Sequence, residues 1–190
     1  MNIPADHPLR QLFLELVWRH FFGDLQLYDA DVAQYVTALL TDFTHADNLY
    51  RLRDARGRPL DDVGVMLLES NPLLEQRNVF KEREIRKHIG DYTLFMTGLF
   101  PEYVAGPRRR QLGRVDAFVD YVQAGKESYF IVASFDQFEF RQEAPLFRRL
   151  SEHFEQCVVA LNLVKTDLAQ LRHDYLRQLE ASLGDPSAPA

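Results

Sequence analysis

Two histidine–carboxylate pairs have the spacing that places both side chains on one face of a helix. Glu84 precedes His88 by four residues, and Asp42 precedes His45 by three. Helical bundles hold carboxylate-bridged metal ions with a Glu-x-x-His motif on each of two helices, together with further glutamates, and this sequence contains no Glu-x-x-His. Glu84 also lies in the charged run 81–87, where ion pairs on a solvated helix face are the ordinary arrangement. The sequence therefore predicts no metal site, and it predicts that Glu84 and His88 form a surface pair.

The common catalytic motifs are missing from the sequence. It has no P-loop, no Gly-x-Gly-x-x-Gly, no Cys-x-x-Cys, no His-Glu-x-x-His and no Gly-x-Ser-x-Gly. Cys157, Ser128 and Ser134 are available nucleophiles, but no histidine has a spacing to any of them that supports a catalytic pair. Cys157 lies in an apolar helical pattern, so a buried and unreactive thiol is expected. No catalytic residue and no cofactor is predicted, and the sequence favours a protein that is not an enzyme.

Arginines are concentrated in two short segments of an otherwise acidic chain. The formal net charge is −6, which argues against generic nucleic-acid binding because phosphate neutralisation needs a broad basic surface. The candidate partner-binding residues are Arg51, Arg53, Arg56, Arg58, Arg108, Arg109 and Arg110. The second segment lies at the predicted start of a helix, where cations oppose the helix dipole. Two interpretations stay open: recognition of an acidic protein or a phosphate-bearing partner, or ion pairs with this protein's own acidic first helices.

An alternative hypothesis places a ligand pocket among aromatic and histidine side chains. His20 lies on the apolar stripe of the first predicted helix, where a histidine could bind a haem iron or a metal. The candidate pocket residues are His20, His88, Tyr92, Phe95, Met96 and Phe100. A hydrogen-bonded core histidine and plain core packing are the simpler interpretations of the same residues.

Length and composition predict one globular domain. A chain of 190 residues can bury a self-sufficient core without disulfides or metals. Fourteen Phe, eight Tyr and one Trp predict a core rich in rings. The N-terminal residues lack the pattern of a secretion signal, and no uninterrupted apolar stretch is long enough for a membrane span. A cytoplasmic protein that does not enter a membrane is expected.

Apolar residues at helical spacing predict helices along most of the chain. The first follows Asp6, and the second begins with Asp29 as its N-cap. A long pattern covers 73–100, where Gly90 could introduce a kink, and another covers 112–125. The run 128–135 has both strand and helix character, and helix is favoured. From residue 144 onward one long helix and a tight pair of helices fit equally, with a break expected near Asn162.

The sequence thus predicts an all-α, single-domain bundle of about six to eight helices over residues 1–183, followed by a disordered tail at 184–190. A small β-hairpin near residues 50–60 is compatible with the turn residues there. The predicted core residues are Leu16, Leu39, Leu40, Phe43, Phe95, Leu99, Phe118, Phe154, Val158 and Leu161.

Three segments, 45–52, 88–102 and 146–150, resemble those of an uncharacterised bacterial family of helical proteins. The resemblance covers about a quarter of the chain. It implies no activity and transfers no site residue.

These observations favour a non-catalytic helical binding protein. Its expected partners are a second copy of the chain, as in a homodimer, and an acidic macromolecule at the arginine segments. The alternative is the helical pocket protein, or enzyme, that holds an apolar ligand, a metal or haem.

Overall fold

The chain folds into a bundle of α-helices, as the apolar stripes predict. The computed structural model describes residues 4, 7–53, 56–70, 79–104 and 114–183. In chain order, the elements of these residues are α1 (Pro8–Trp18) with a π-helical continuation (Arg19–Asp24), α2 (Ala30–Asp42), α3 (Ala46–Leu49), α4 (Val63–Glu69), α5 (Val79–Leu99), α6 (Pro101–Val104), α7 (Arg114–Ser134), a 3-10 segment (Phe138–Gln142), α8 (Ala144–Glu152) and α9 (Phe154–Leu183). This part of the chain contains no β-strand, so the predicted all-α class is confirmed.

Aspartates begin two of the helices. Asp29 accepts a hydrogen bond from the backbone N–H of Val32 at 3.1 Å, and Asp62 accepts one from Val65 at the same distance. Each carboxylate satisfies a backbone donor that the first helical turn leaves without a partner. The predicted N-cap of α2 is therefore confirmed.

Helix α5 lies at the centre of the bundle and packs against α4, α7 and α9. Helix α5 continues through Gly90 without interruption. Close packing against a neighbouring helix, and not a kink, accounts for a glycine at this position. A Cβ at Gly90 would come within 2.5 Å of the Tyr129 ring on α7, and one at Gly125 would overlap the Phe154 ring on α9. Both glycines therefore permit close approach of helices. Because Gly125 does not end α7, the segment 128–134 continues the same helix, as favoured from the sequence.

The core follows the predicted stripes. Phe154, Leu161 and Leu40 are almost completely buried, while Leu99 and Phe118 are only partly buried and pack against the others. Cys157 is fully buried, and burial, reinforced by the negative charge of Asp29, raises the pKa of its thiol. The buried cysteine agrees with the expectation from the sequence.

Two expectations need correction, and a third concerns residues that the structure does not describe. Near residues 50–60 the described residues form no two-stranded hairpin, but only a single antiparallel bridge between Arg53 and Pro59 and a backbone hydrogen bond from the Leu60 N–H to the Leu52 carbonyl. The break after residue 144 comes at His153, which separates α8 from α9, and Asn162 lies inside α9. The tail 184–190 lies outside the described residues.

None of the helices in the described ranges combines the length and the apolar character needed to cross a membrane.

Candidate functional site

The central helix carries an unusual set of buried polar side chains. Arg83, His88 and Asp91 of α5 are each less than 10% exposed. Arg83, Lys87 and Asp91 follow at intervals of four residues, which places them along one face of the helix, and His88 lies beside that face. A helix at the centre of a bundle normally presents apolar residues on every side that it buries. These polar groups therefore mark the part of the molecule where a function is most plausible.

Asp91 is a buried carboxylate held by two tyrosines. The hydroxyl groups of Tyr35 on α2 and Tyr129 on α7 both donate to Asp91 Oδ1, at 2.6 and 2.8 Å. Burial raises the pKa of Asp91, although Lys87, the two tyrosine hydrogen bonds and Arg51 each act to lower it. The network joins three helices, and it requires each tyrosine to direct its single proton inward.

Two cations lie close to this network without a carboxylate partner. Lys87 Nζ is 5.9 Å from the centre of the Tyr35 ring and 5.8 Å from that of Phe147, distances at which a ring face still attracts a cation. Arg51, in the segment after α3, is exposed. Its positive charge acts to lower the pKa values of Asp91, Tyr35 and His88. In the described part of the chain, neither Lys87 nor Arg51 has a carboxylate within 4.0 Å.

Arg83 shows the usual arrangement of a buried cation. Its guanidinium pairs with Glu143 and Glu84 and lies 4.2 Å from the centre of the Phe140 ring. Two carboxylates therefore compensate the charge of Arg83. Lys87, one turn further along the same face, has aromatic contacts but no equivalent ion pair with any described residue.

His88 is buried without a hydrogen bond, contrary to the predicted surface pair with Glu84. The side chain has no exposed surface, and neither ring nitrogen has a partner among the described residues. Burial and the positive charge of Arg51 lower the pKa of His88 to about 3; the nearby Leu49 carbonyl acts in the opposite direction without reaching hydrogen-bond geometry. The prediction was wrong because the imidazole packs inward, between the rings of Phe43 and Tyr92, while the charged Glu84 stays in water and pairs with Arg83.

The first arginine segment is exposed. Arg51, Arg53, Arg56 and Arg58 all face solvent around a turn in which Gly57 has φ +77°, a conformation that glycine adopts without strain. Arg53 donates to the Gly57 carbonyl at 3.1 Å, which closes the turn. The second segment, Arg108 to Arg110, lies outside the described residues.

The candidate pocket residues divide into two places. His88, Tyr92, Phe95 and Phe100 are linked through successive ring contacts in which Phe43 takes part; Met96 is buried in the same core. His20 lies elsewhere, in the π-helical segment. Its ring nitrogens contact Asp24 at 2.6 Å and Asp167 at 3.1 Å. The described ranges contain no group of three His, Cys, Asp or Glu side chains that could hold a metal ion.

Four residues of this site were not predicted from the sequence: Tyr35, Lys87, Asp91 and Tyr129. Asp91 did carry a signal, because it is an acidic residue inside the apolar stripe that runs from Ile85 to Phe100. An acid in such a position is buried unless the stripe is interrupted. Its tyrosine partners are 56 and 38 residues away in the chain, and helical spacing gives no information on contacts of that kind.

The comparison with known proteins finds no protein-family model, no curated protein and no solved structure that matches the chain. No activity can therefore be transferred, and the resemblance to an uncharacterised family supplies none.

Proposed function

We propose that the chain is a non-catalytic helical binding protein that recognises acidic side chains of a partner protein at Arg51 and Lys87. The observation that carries the proposal is that Lys87 and Arg51, two cations whose charges act on the buried Asp91, have no carboxylate partner among the described residues. Asp91 can balance one positive charge at most, and burial favours its neutral form. An anion arriving from a partner would supply the missing negative charge.

The surroundings of Arg51 support a partner of macromolecular size. Arg53, Arg56 and Arg58 are exposed in the same segment and extend the positive surface beyond Arg51. A cluster of exposed cations on a protein of net charge −6 accelerates association with an acidic surface and orients it. The second segment, Arg108 to Arg110, remains part of the prediction.

Binding of a poly-glutamate peptide, measured by calorimetry at low and at high ionic strength, tests this proposal. We expect binding at low salt that weakens as salt screens the charges. Arg51→Gln and Lys87→Gln should each weaken it by about tenfold, since a charge-assisted contact contributes more than about 1 kcal/mol. Arg172→Gln, which removes an exposed charge from the distant half of α9, is the matched control and should bind normally.

Circular dichroism of each variant shows whether the fold is retained. Equal affinity of wild type, Arg51→Gln and Lys87→Gln would contradict the proposal. So would a salt-independent affinity. Inorganic phosphate serves as a second probe, and a preference for it over the peptide would point to a phosphate-bearing partner.

Self-association is a second candidate mode of binding, favoured by the C-terminal half of α9. Leu161 and Val164 are buried, but the same stripe continues through Leu171 and Tyr175, which are 48% and 61% exposed. An apolar stripe at heptad spacing that extends beyond the helix's own bundle is typical of a helix that packs against a helix of another chain. Sedimentation velocity over a range of concentrations tests it: a Leu171→Gln, Tyr175→Gln variant should remain monomeric where the wild type associates.

The alternative pocket at the aromatic residues stays a prediction. Haem or another chromophore bound near His88 would absorb visible light in protein purified without denaturant. A spectrum without visible absorbance would favour the binding protein over the pocket protein.

A further inference from the structure

A groove lies between α2 and α8. Tyr35 of α2 and Arg10 of α1 are among the residues that line it. It has a volume of about 620 Å3, which is within the range of small-ligand sites. The residues that matter to its chemistry are Arg10, Gln34, Gln142 and the apolar Ala38, Pro145 and Leu146. We call it the α2–α8 groove.

The charged residues of the groove differ in whether they are already bound. Asp31 pairs with Arg149 at 2.8 Å, and Arg149 is also held by Asp29 at 2.6 Å. Glu143 pairs with Arg83. Arg10 makes no ion pair and no hydrogen bond through its guanidinium with any described residue. Among the charged side chains of the groove in the described ranges, Arg10 is therefore the one that remains available to a ligand.

The position of Arg10 strengthens its preference for an anion. Arg10 lies in the first turn of α1, which spans Pro8–Trp18, and the dipole of a helix adds positive potential at that end. A cation placed there is unfavourable for the helix by itself and more favourable once an anion neutralises it. The planar guanidinium also matches the two oxygens of a carboxylate.

The other lining residues indicate the rest of the ligand. Gln34 and Gln142 are exposed, and their amides make no hydrogen bond within the described part of the chain, so each can donate to or accept from a ligand. Ala38, Pro145 and Leu146 supply an apolar wall. Tyr35 gives the groove a fixed side, because its hydroxyl is held by Asp91.

We propose that the α2–α8 groove binds a small carboxylate whose anionic group pairs with Arg10 and whose amide and apolar parts contact the two glutamines and the wall around Leu146. This site differs from the proposed partner-binding site at Arg51 and Lys87, and it does not depend on that proposal.

Three probes of nearly equal size and different charge test the inference: N-acetylphenylalanine, which is an anion, N-acetylphenylalaninamide, which is neutral, and phenylalaninamide, which is a cation. Binding is followed by chemical-shift changes in the full chain at one salt concentration. We expect the anion to bind about tenfold more tightly than the neutral probe, because one charge-assisted contact distinguishes them.

Arg10→Gln should remove this difference while the protein keeps its circular dichroism spectrum and melting temperature, since the side chain is partly exposed. Arg172→Gln, Arg51→Gln and Lys87→Gln should retain it. Equal binding of the anion and the neutral probe, tighter binding of the cation, or no binding of any probe would overturn the inference. So would an anion preference that persists in Arg10→Gln. Loss of the preference in Arg51→Gln or Lys87→Gln but not in Arg10→Gln would also overturn it, and would assign the anion to the partner-binding site.

Discussion

His20 and His88 have the same local sequence feature and opposite surroundings. Each has an acidic residue four positions away, Asp24 after His20 and Glu84 before His88. His20 contacts Asp24 at 2.6 Å and Asp167 at 3.1 Å. His88 contacts neither Glu84 nor any other hydrogen-bond partner in the described part of the chain. Both imidazoles are nevertheless buried, at 6% and 0% exposure.

The difference shows that spacing brings two side chains to one helix face without deciding which of them enters the core. At His20 the chain is π-helical and near the edge of the bundle, so both acids can reach the ring and still touch water. Both contacts are hydrogen bonds when both ring nitrogens carry a proton. At His88 the ring lies among aromatic side chains, where a carboxylate would lose its hydration.

The largest expected effect of this difference is on stability in acid. The pKa of His88 falls from 6.5 to about 3 in the folded protein, so the unfolded chain binds a proton that the folded chain excludes. The contribution of His88 is therefore fully present above about pH 6.5 and is lost progressively as the pH falls towards 3. Its size is on the order of a few kcal/mol. His88→Leu does not titrate here, so its advantage in unfolding free energy over the wild type should widen as the pH falls through this window, as measured by urea denaturation.

Because Asp and Glu residues also titrate in acid, the comparison must be made between variants. His20→Leu keeps His88. As the pH falls, its unfolding free energy should therefore include the same loss from His88 as that of the wild type. Parallel curves for wild type and His88→Leu from pH 7 to pH 4 would contradict the assignment of this effect to His88.

At neutral pH the two leucine substitutions should have opposite signs. His88→Leu removes two buried nitrogens without partners and keeps an apolar group of similar size, so stability should rise by 0 to about 2 kcal/mol. His20→Leu removes the contacts of a buried imidazole with Asp24 and Asp167 and should cost about 1 to 3 kcal/mol. Urea midpoints of the two variants measure this contrast, and a loss of similar size for both would show that His88 has a partner.

The general fold was predictable because it depends on local patterns. The stripe of α2, its cap at Asp29 and the burial of Phe154 each follow from residues close together in the sequence. The π-helical segment and the break at His153 were not predicted, since helical spacing continues across both. Their positions depend on how α1, α8 and α9 pack against one another.

The candidate site was predictable only in part. Arg51 was identified from the density of arginines, whereas Lys87 was one of several charges in a solvated pattern. What distinguishes Lys87 is its position beside the contacting rings of Tyr35 and Phe147, which belong to α2 and α8. Such contacts arise from tertiary packing, and one sequence contains no local signal for them.

A smaller effect concerns Asp91, the buried acid that does have partners. Tyr129→Phe keeps the ring that packs on Gly90 and removes one hydrogen bond to the carboxylate, so it should cost about 1 to 2 kcal/mol. In an Asp91→Asn background the same substitution should cost less, because a neutral amide oxygen accepts a weaker hydrogen bond. Urea denaturation of the four proteins gives the coupling. Equal costs in the two backgrounds would show that the contribution of the Tyr129 hydroxyl does not depend on the carboxylate of Asp91.

The smallest expected effect tests the pair that the sequence predicted and the structure does not contain. Glu84 is 59% exposed and pairs with Arg83 at 3.3 Å, so Glu84→Gln should change stability by about 0 to 0.5 kcal/mol. In a double-mutant cycle with His88→Leu, the coupling energy should be near zero, because the two side chains do not touch. The matched cycle of Asp24→Asn with His20→Leu has the same spacing and a 2.6 Å contact, and its coupling should be about 1 kcal/mol. A coupling between Glu84 and His88 as large as that between Asp24 and His20 would mean that His88 turns towards solvent in solution.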